Sequence, residues 1–248
     1  AFERVTTSLT AYRHALTMVQ APWAMLLPTN ITLNVHSYQR LLHTIHERGA
    51  DAGMIGFPTN DLPLKGLPPI IESETLSCEP MAINMQIYRT IGSFNELLWD
   101  TPWAGQEYAR RVNMAGYRSY LLSSALEQEP LPRHGSKERL QQRIEAAEAY
   151  MSGQWGPSHH LVLHLAPGTD TQRITRIAEA VLTAARTGTT ATIFVHARER
   201  GSEAVMSLAL LHQGVEIITI PRLLPTRQIK KHINRLRERP VPIILIAV

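Results

Sequence analysis

The sequence predicts an α/β protein whose last ninety-five or so residues form a compact domain with a mainly parallel sheet, preceded by a mixed, mostly helical region. Three observations carry this expectation. Beyond residue 153, short apolar runs alternate with longer stretches of helical periodicity. Strands separated by helices need crossover connections, and these produce parallel pairing. The runs are also continuously apolar rather than alternating, as in strands covered on both faces.

The first strand is His160-Leu-Val-Leu-His-Leu165, ending at the turn Ala166-Pro-Gly-Thr-Asp170, whose Thr169 or Asp170 can cap a helix. Between Thr171 and Arg186, Ile174, Ile177, Ala178, Val181 and Leu182 recur at three- and four-residue spacing, leaving Arg173, Arg176 and Glu179 on the other face. Gly188 stops that helix, and the β-branched run Thr189–Val195 supplies the second strand. Glu203–Gln213 reads as a helix, Val215–Ile220 as the third strand, Thr226–Arg239 as a helix and Val241–Val248 as the fourth strand. The pattern is that of a Rossmann-like or flavodoxin-like three-layer domain over 154–248.

Residues 1–133 are less regular. Helical patterns cover Val5–Val19, Ser37–Arg48, Met85–Trp99 and Ala104–Leu126, and Ser136–Met151 reads as a bridging helix within a linker at 134–153. Ile31–Val35, the Ser37 helix and Ala52–Phe57 are a candidate βαβ unit. Asp61–Ile70, with three prolines and a glycine, reads as a long loop, and Glu129–Gly135 as a linker. Trp99, Trp103, Tyr108, Tyr117 and Tyr120 fall on two of the predicted helices and are expected to pack between them.

Hydrophobic residues make up 44% and charged residues 19% of the 248, an ordinary globular balance that excludes a disordered chain. The lone Cys78 can form no internal disulfide and belongs to no thiol set for zinc, which points to a reducing, cytoplasmic setting. No window resembles a membrane span, so no membrane insertion is expected. The net charge of +4 is unevenly spread: twelve Lys/Arg against six Asp/Glu from Gln154 onward leave thirteen against fifteen before it.

The chemistry-bearing motifs are sparse. The turn at Gly168 and Thr169 ends a strand and opens a helix, where open α/β sheets bind ligands, so it is a candidate ligand turn. Against it, neither G-x-G-x-x-G nor G-x-x-x-x-G-K-[ST] occurs, and Asp170 repels anions. His43 and His46 sit a helical turn apart beside Glu47, while His159, His160, His164 and His196 lie on or near adjacent strands; neither set has a recognised ligand spacing, and no metal is expected. Cys78 has an acidic neighbour and no Gly-x-Ser-x-Gly elbow exists, so no nucleophile is assigned. The last helix carries Arg227, Lys230, Lys231, Arg235, Arg237 and Arg239 against the single acid Glu238, with Ile229, Ile233 and Leu236 as its inward stripe.

The strand–helix rhythm of the C-terminal part resembles, in outline, a phosphorelay receiver domain. That resemblance implies acids after the first strand and an aspartate ending the third, but Ala166-Pro167 and Ile220-Pro221 stand there. It implies at most a degenerate, protein-binding relative.

The expectation is a non-enzymatic binding, assembly or regulatory protein. It engages a protein partner, a second copy of itself or nucleic acid through the basic C-terminal surface, without a cofactor. One alternative is an enzyme or nucleotide sensor with a site between the two regions near Gly168, His164 and His196. Another is a structural subunit of a larger complex.

Overall fold

The computed structural model describes residues 9–28, 30–58, 68–76, 80–99, 101–124, 126–128, 137–196, 211–221, 225–237 and 241–247. The expected loop at 61–67, the linker at 129–135, the helix of Glu203 to residue 210, Cys78 and Arg239 lie outside these. The chain divides into two units, one comprising Ala1–Ile70 with Thr75–Met151 and the other Ile71–Glu74 with Ser152–Val248.

The first unit contains α1 (Leu9–Met18), β1 (Trp23–Leu26), β2 (Ile31–Thr32), α2 (Val35–Arg48), β3 (Ala52–Gly56), β4 (Ile70–Glu72, shared in sequence with the second unit), β5 (Met81–Asn84), α3 (Met85–Ile91), α4 (Trp103–Met114), β6 (Arg118–Leu122), β7 (Glu127–Gln128) and most of α5 (Lys137–Trp155). Its sheet runs β1-β5-β3-β6-β4, antiparallel across β1, β5 and β3 and parallel between β3 and β6. Leu41, Ile55, Phe57, Tyr120 and Leu122 form one core cluster. Gly53 gives α4 close approach to β3, because a Cβ there would stand 2.6 Å from Val112 Cγ1. Asn34 and Asn84 cap α2 and α3 through their side-chain oxygens, accepting from Ser37 N and from Gln86 and Ile87 N.

Two expectations fail here, and the mixed region also holds a five-stranded sheet that the sequence did not announce. The helix predicted over Ala104–Leu126 ends at Met114, and Tyr120 lies on β6; Gly116 at φ 88° breaks the helix, and Gly92 at φ 87° cuts the Met85–Trp99 pattern short at Ile91 in the same way. Tyr117, Tyr120 and Leu121 also fit a helical spacing, but Arg118–Leu122 is strand β6, with Ser119, Tyr120, Leu121 and Leu122 all buried. The candidate βαβ unit does not form either: β2 pairs antiparallel with β7, and β3 joins the larger sheet.

The second unit is a mixed α/β body with an all-parallel sheet. It contains β8 (His160–His164), α6 (Thr171–Ala185), β9 (Thr190–His196), β10 (Val215–Ile220), α7 (Pro225–Arg237) and β11 (Ile243–Ala247), in the strand order β10-β9-β8-β11. Two separate clusters show that α6 and α7 cover opposite faces. Ile174, Val181 and Ala185 of α6 pack with Leu163, Ile193, Val195 and Val215, while Leu236 of α7 packs with Val162, Phe194 and Ile220. Alternate residues of each strand therefore serve alternate helices, the reason the strands read as continuous apolar runs.

Candidate functional site

Helix α7 forms because Ile229, Ile233 and Leu236 recur at four- and three-residue spacing and bury one stripe against β8, β9, β10 and Ile243. Pro225 stands at its first position, where a missing N–H costs nothing. Fixing that stripe turns Arg227, Lys230, Lys231, Arg235 and Arg237 outward, and all five are exposed. None makes an ion pair or hydrogen bond among the described residues.

The helix has two flanks. On one, Thr226, Lys230, Asn234 and Arg237 join Ile229, Ile233, His164 and Leu245 around a hollow of about 500 Å³. On the other, Arg227, Lys231 and Arg235 stand at successive helical turns beside Gln228, His232, Phe194, Ile218 and Glu216 around a hollow of about 800 Å³. His232 meets Phe194 edge-on, with ring centroids 5.4 Å apart, and its buried Nε2 has no partner among the described residues.

The candidate ligand turn is occupied by its own side chains. Asp170 accepts from Arg173 N at 3.0 Å, so a carboxylate already sits at the α6 N-terminus, and the Thr169 hydroxyl donates back to the Ala166 carbonyl at 2.7 Å. Gly168 has φ 83°, a conformation that favours glycine.

The histidines divide. His160 bonds the hydroxyls of Thr190 and Thr192 at 2.6 and 2.9 Å, and His43 contacts Glu47 at 3.3 Å on the exposed face of α2. His164 and His196, at the C-terminal ends of β8 and β9, meet Nε2 to Nε2 at 3.1 Å with ring centroids 5.2 Å apart. At that distance one ring donates an N–H to the bare nitrogen of the other. Burial, and next the neighbouring His196, hold His164 below the ordinary imidazole range. No group of three metal-ligating side chains occurs among the described residues.

Sequence reasoning missed a second polar cluster. Glu72 accepts from Arg186 Nε at 2.6 Å and Nη2 at 2.9 Å, and its carbonyl accepts from Gln213 N at 2.8 Å. Beside them lies His212, 1% exposed, with Nδ1 accepting from Gly214 N and Nε2 unpartnered among the described residues. Burial, then the Arg186 charge, pushes its pKa down to about 4. The partners are more than a hundred positions apart, so no local spacing could announce them. In the first unit, Tyr88, Phe94, Trp99 and Tyr108 form an aromatic cluster; Arg111 lies over the Tyr108 ring, and burial raises the Tyr108 phenol. All four rings of that cluster are buried.

No protein-family model matches the chain, and no curated protein matches it. No helix among the described residues is long and apolar enough to cross a membrane. The class this geometry defines is accordingly a mixed α/β protein whose second unit has a parallel sheet with one strongly basic helix on its surface.

Proposed function

We propose that the chain is a non-enzymatic binding protein whose second unit engages a polyanion, nucleic acid, through the outward face of α7. The observation that carries this reading is the set of five exposed cations on one helix, none of them paired among the described residues. Paired surface cations are already neutralised, whereas unpaired ones release counterions when phosphates replace them. Arg227, Lys231 and Arg235 form the row most directly outward, opposite the Ile229–Ile233 stripe, and Asn234 and Gln228 add amide donors between the cations. Arg239, named with them from the sequence, lies outside the described residues.

The scaffold is read as degenerate Rossmann-like. Counting β8 as the first strand, the order 3-2-1-4 matches the start of the doubly wound dinucleotide sheet better than the flavodoxin-like 2-1-3-4-5. The phosphate-binding glycines are missing and Asp170 fills the helix end, which favours a binding role over nucleotide chemistry. The lone cysteine fits a reducing compartment, and we place the protein in the cytoplasm. The enzyme or sensor alternative has one supporting observation: His164 lines the smaller hollow.

Fluorescence anisotropy with duplex and single-stranded DNA at low salt tests the reading. Binding is expected to weaken with salt with a log–log slope of about −2.7 on duplex if three cations each meet a phosphate. The double change Arg227→Glu and Lys231→Glu should abolish binding and leave the circular dichroism unchanged, because neither side chain belongs to the buried stripe. Undiminished binding by that variant, or none by the unaltered protein, sinks the proposal.

A further inference from the structure

The edge of the sheet formed by β11 is open among the described residues, since β11 pairs with β8 alone. Its direction can be read from the ladder. The Pro242 carbonyl accepts from His160 N at 2.9 Å, so the backbone groups of residues 242, 244 and 246 face β8. Those of Ile243, Leu245 and Ala247 consequently face outward, a row of unpaired donors and acceptors of the kind that takes up another strand. The side chains on this edge are apolar and uncovered on both faces: Ile244, Leu245 and Ile246 are 42%, 59% and 39% exposed.

The face toward α7 is basic. On the α7 side the edge borders the hollow of about 500 Å³, whose rim carries Lys230 and Arg237 and whose lining contains no carboxylate. On the opposite side Ile244 and Ile246 present hydrocarbon only. A strand laid beside β11 would alternate its side chains between these faces. We propose that the β11 edge binds an extended acidic segment of a partner protein, with its carboxylates toward Lys230 and Arg237 and its apolar residues against Ile244 and Ile246. Charge complementarity selects this occupant over a basic or neutral strand. Lys230 and Arg237 also belong to the nucleic-acid reading, but the variant that tests that reading changes Arg227 and Lys231 on the other flank, so the two proposals fail on different experiments.

The test uses the full chain and a capped peptide of about eight residues alternating valine and glutamate, with a valine–lysine peptide as control. The acidic peptide should bind and protect the Leu245 and Ala247 amides from hydrogen exchange, and the basic one should bind about tenfold more weakly. Lys230→Glu with Arg237→Glu should invert that preference. Leu245→Pro removes only an outward donor, on an edge strand where proline is tolerated, and should lose both peptides without unfolding. Absent protection, or equal affinity for the two peptides, overturns the proposal. Sedimentation that shows a dimer dissociated by Leu245→Pro also overturns it, because the occupant would then be a second copy.

Discussion

His212 is the residue whose chemistry is most constrained by its place. It is neutral in the fold, with a pKa near 4, while the unfolded chain binds a proton near 6.5. A basic group with a lowered folded pKa favours the unfolded chain as it becomes protonated. Stability is therefore complete above about pH 6.5 and declines as the pH falls toward 4, by on the order of 3 kcal/mol. Urea midpoints at pH 7 and pH 5 measure this, and His212→Asn, which keeps an acceptor for Gly214 N, should flatten the decline. An unchanged pH slope in that variant would assign the loss to other groups. Asp170 acts at the same scale with no pH argument: Asp170→Ala removes the acceptor for Arg173 N and should cost about 0.5–2 kcal/mol while leaving DNA binding untouched, as urea denaturation and anisotropy together would show.

Among the elements, β9 is the one with least tolerance, because six of its seven residues are buried. Val195 is fully buried among α6 contacts, whereas Ile177 on α6 is only partly buried. Val195→Asp should abolish the folding of the second unit, since the carboxylate has no partner in the core, and Ile177→Asp should destabilise it more mildly by turning toward water. Near-ultraviolet circular dichroism and urea midpoints distinguish the two. A native-like Val195→Asp protein would contradict the assignment of that face to the α6 core. Helix α7 shows the complementary case: its apolar stripe fixes its rotation, and the rotation alone decides that the cations are presented together.

For the whole molecule, the decisive feature is that the second unit is not one continuous piece of chain. Ile71–Glu74 belongs with Ser152–Val248, and Glu72 supplies a carboxylate that meets Arg186 through two hydrogen bonds. A fragment beginning at Ser152 would leave the Arg186 guanidinium, 20% exposed, without that partner and next to His212. Such a fragment should fold less stably than the same unit in the full chain, by roughly 2 kcal/mol or more, because breaking a largely buried pair costs more than removing both members. Equal hydrogen-exchange protection of β9 in fragment and full chain would show that the inserted segment contributes nothing.

The sequence by itself determined the strand–helix alternation beyond residue 153, the Asp170 cap, and the separation of α7 into an apolar stripe and a basic face. Each of these depends on residues within a few positions of one another, where backbone geometry ties spacing directly to a shared face. It did not distinguish the helix expected through Tyr117–Leu122 from the strand β6, because Tyr117, Tyr120 and Leu121 fit a helical spacing while a strand buried on both faces needs no alternation, and only the pairing with β3 chose between them. The order β10-β9-β8-β11, the His164–His196 contact and the capture of Glu72 by Arg186 were decided by tertiary structure alone. They join residues tens to more than a hundred positions apart, and the energy that selects them comes from burial and hydrogen bonding that exist only once the sheet has assembled.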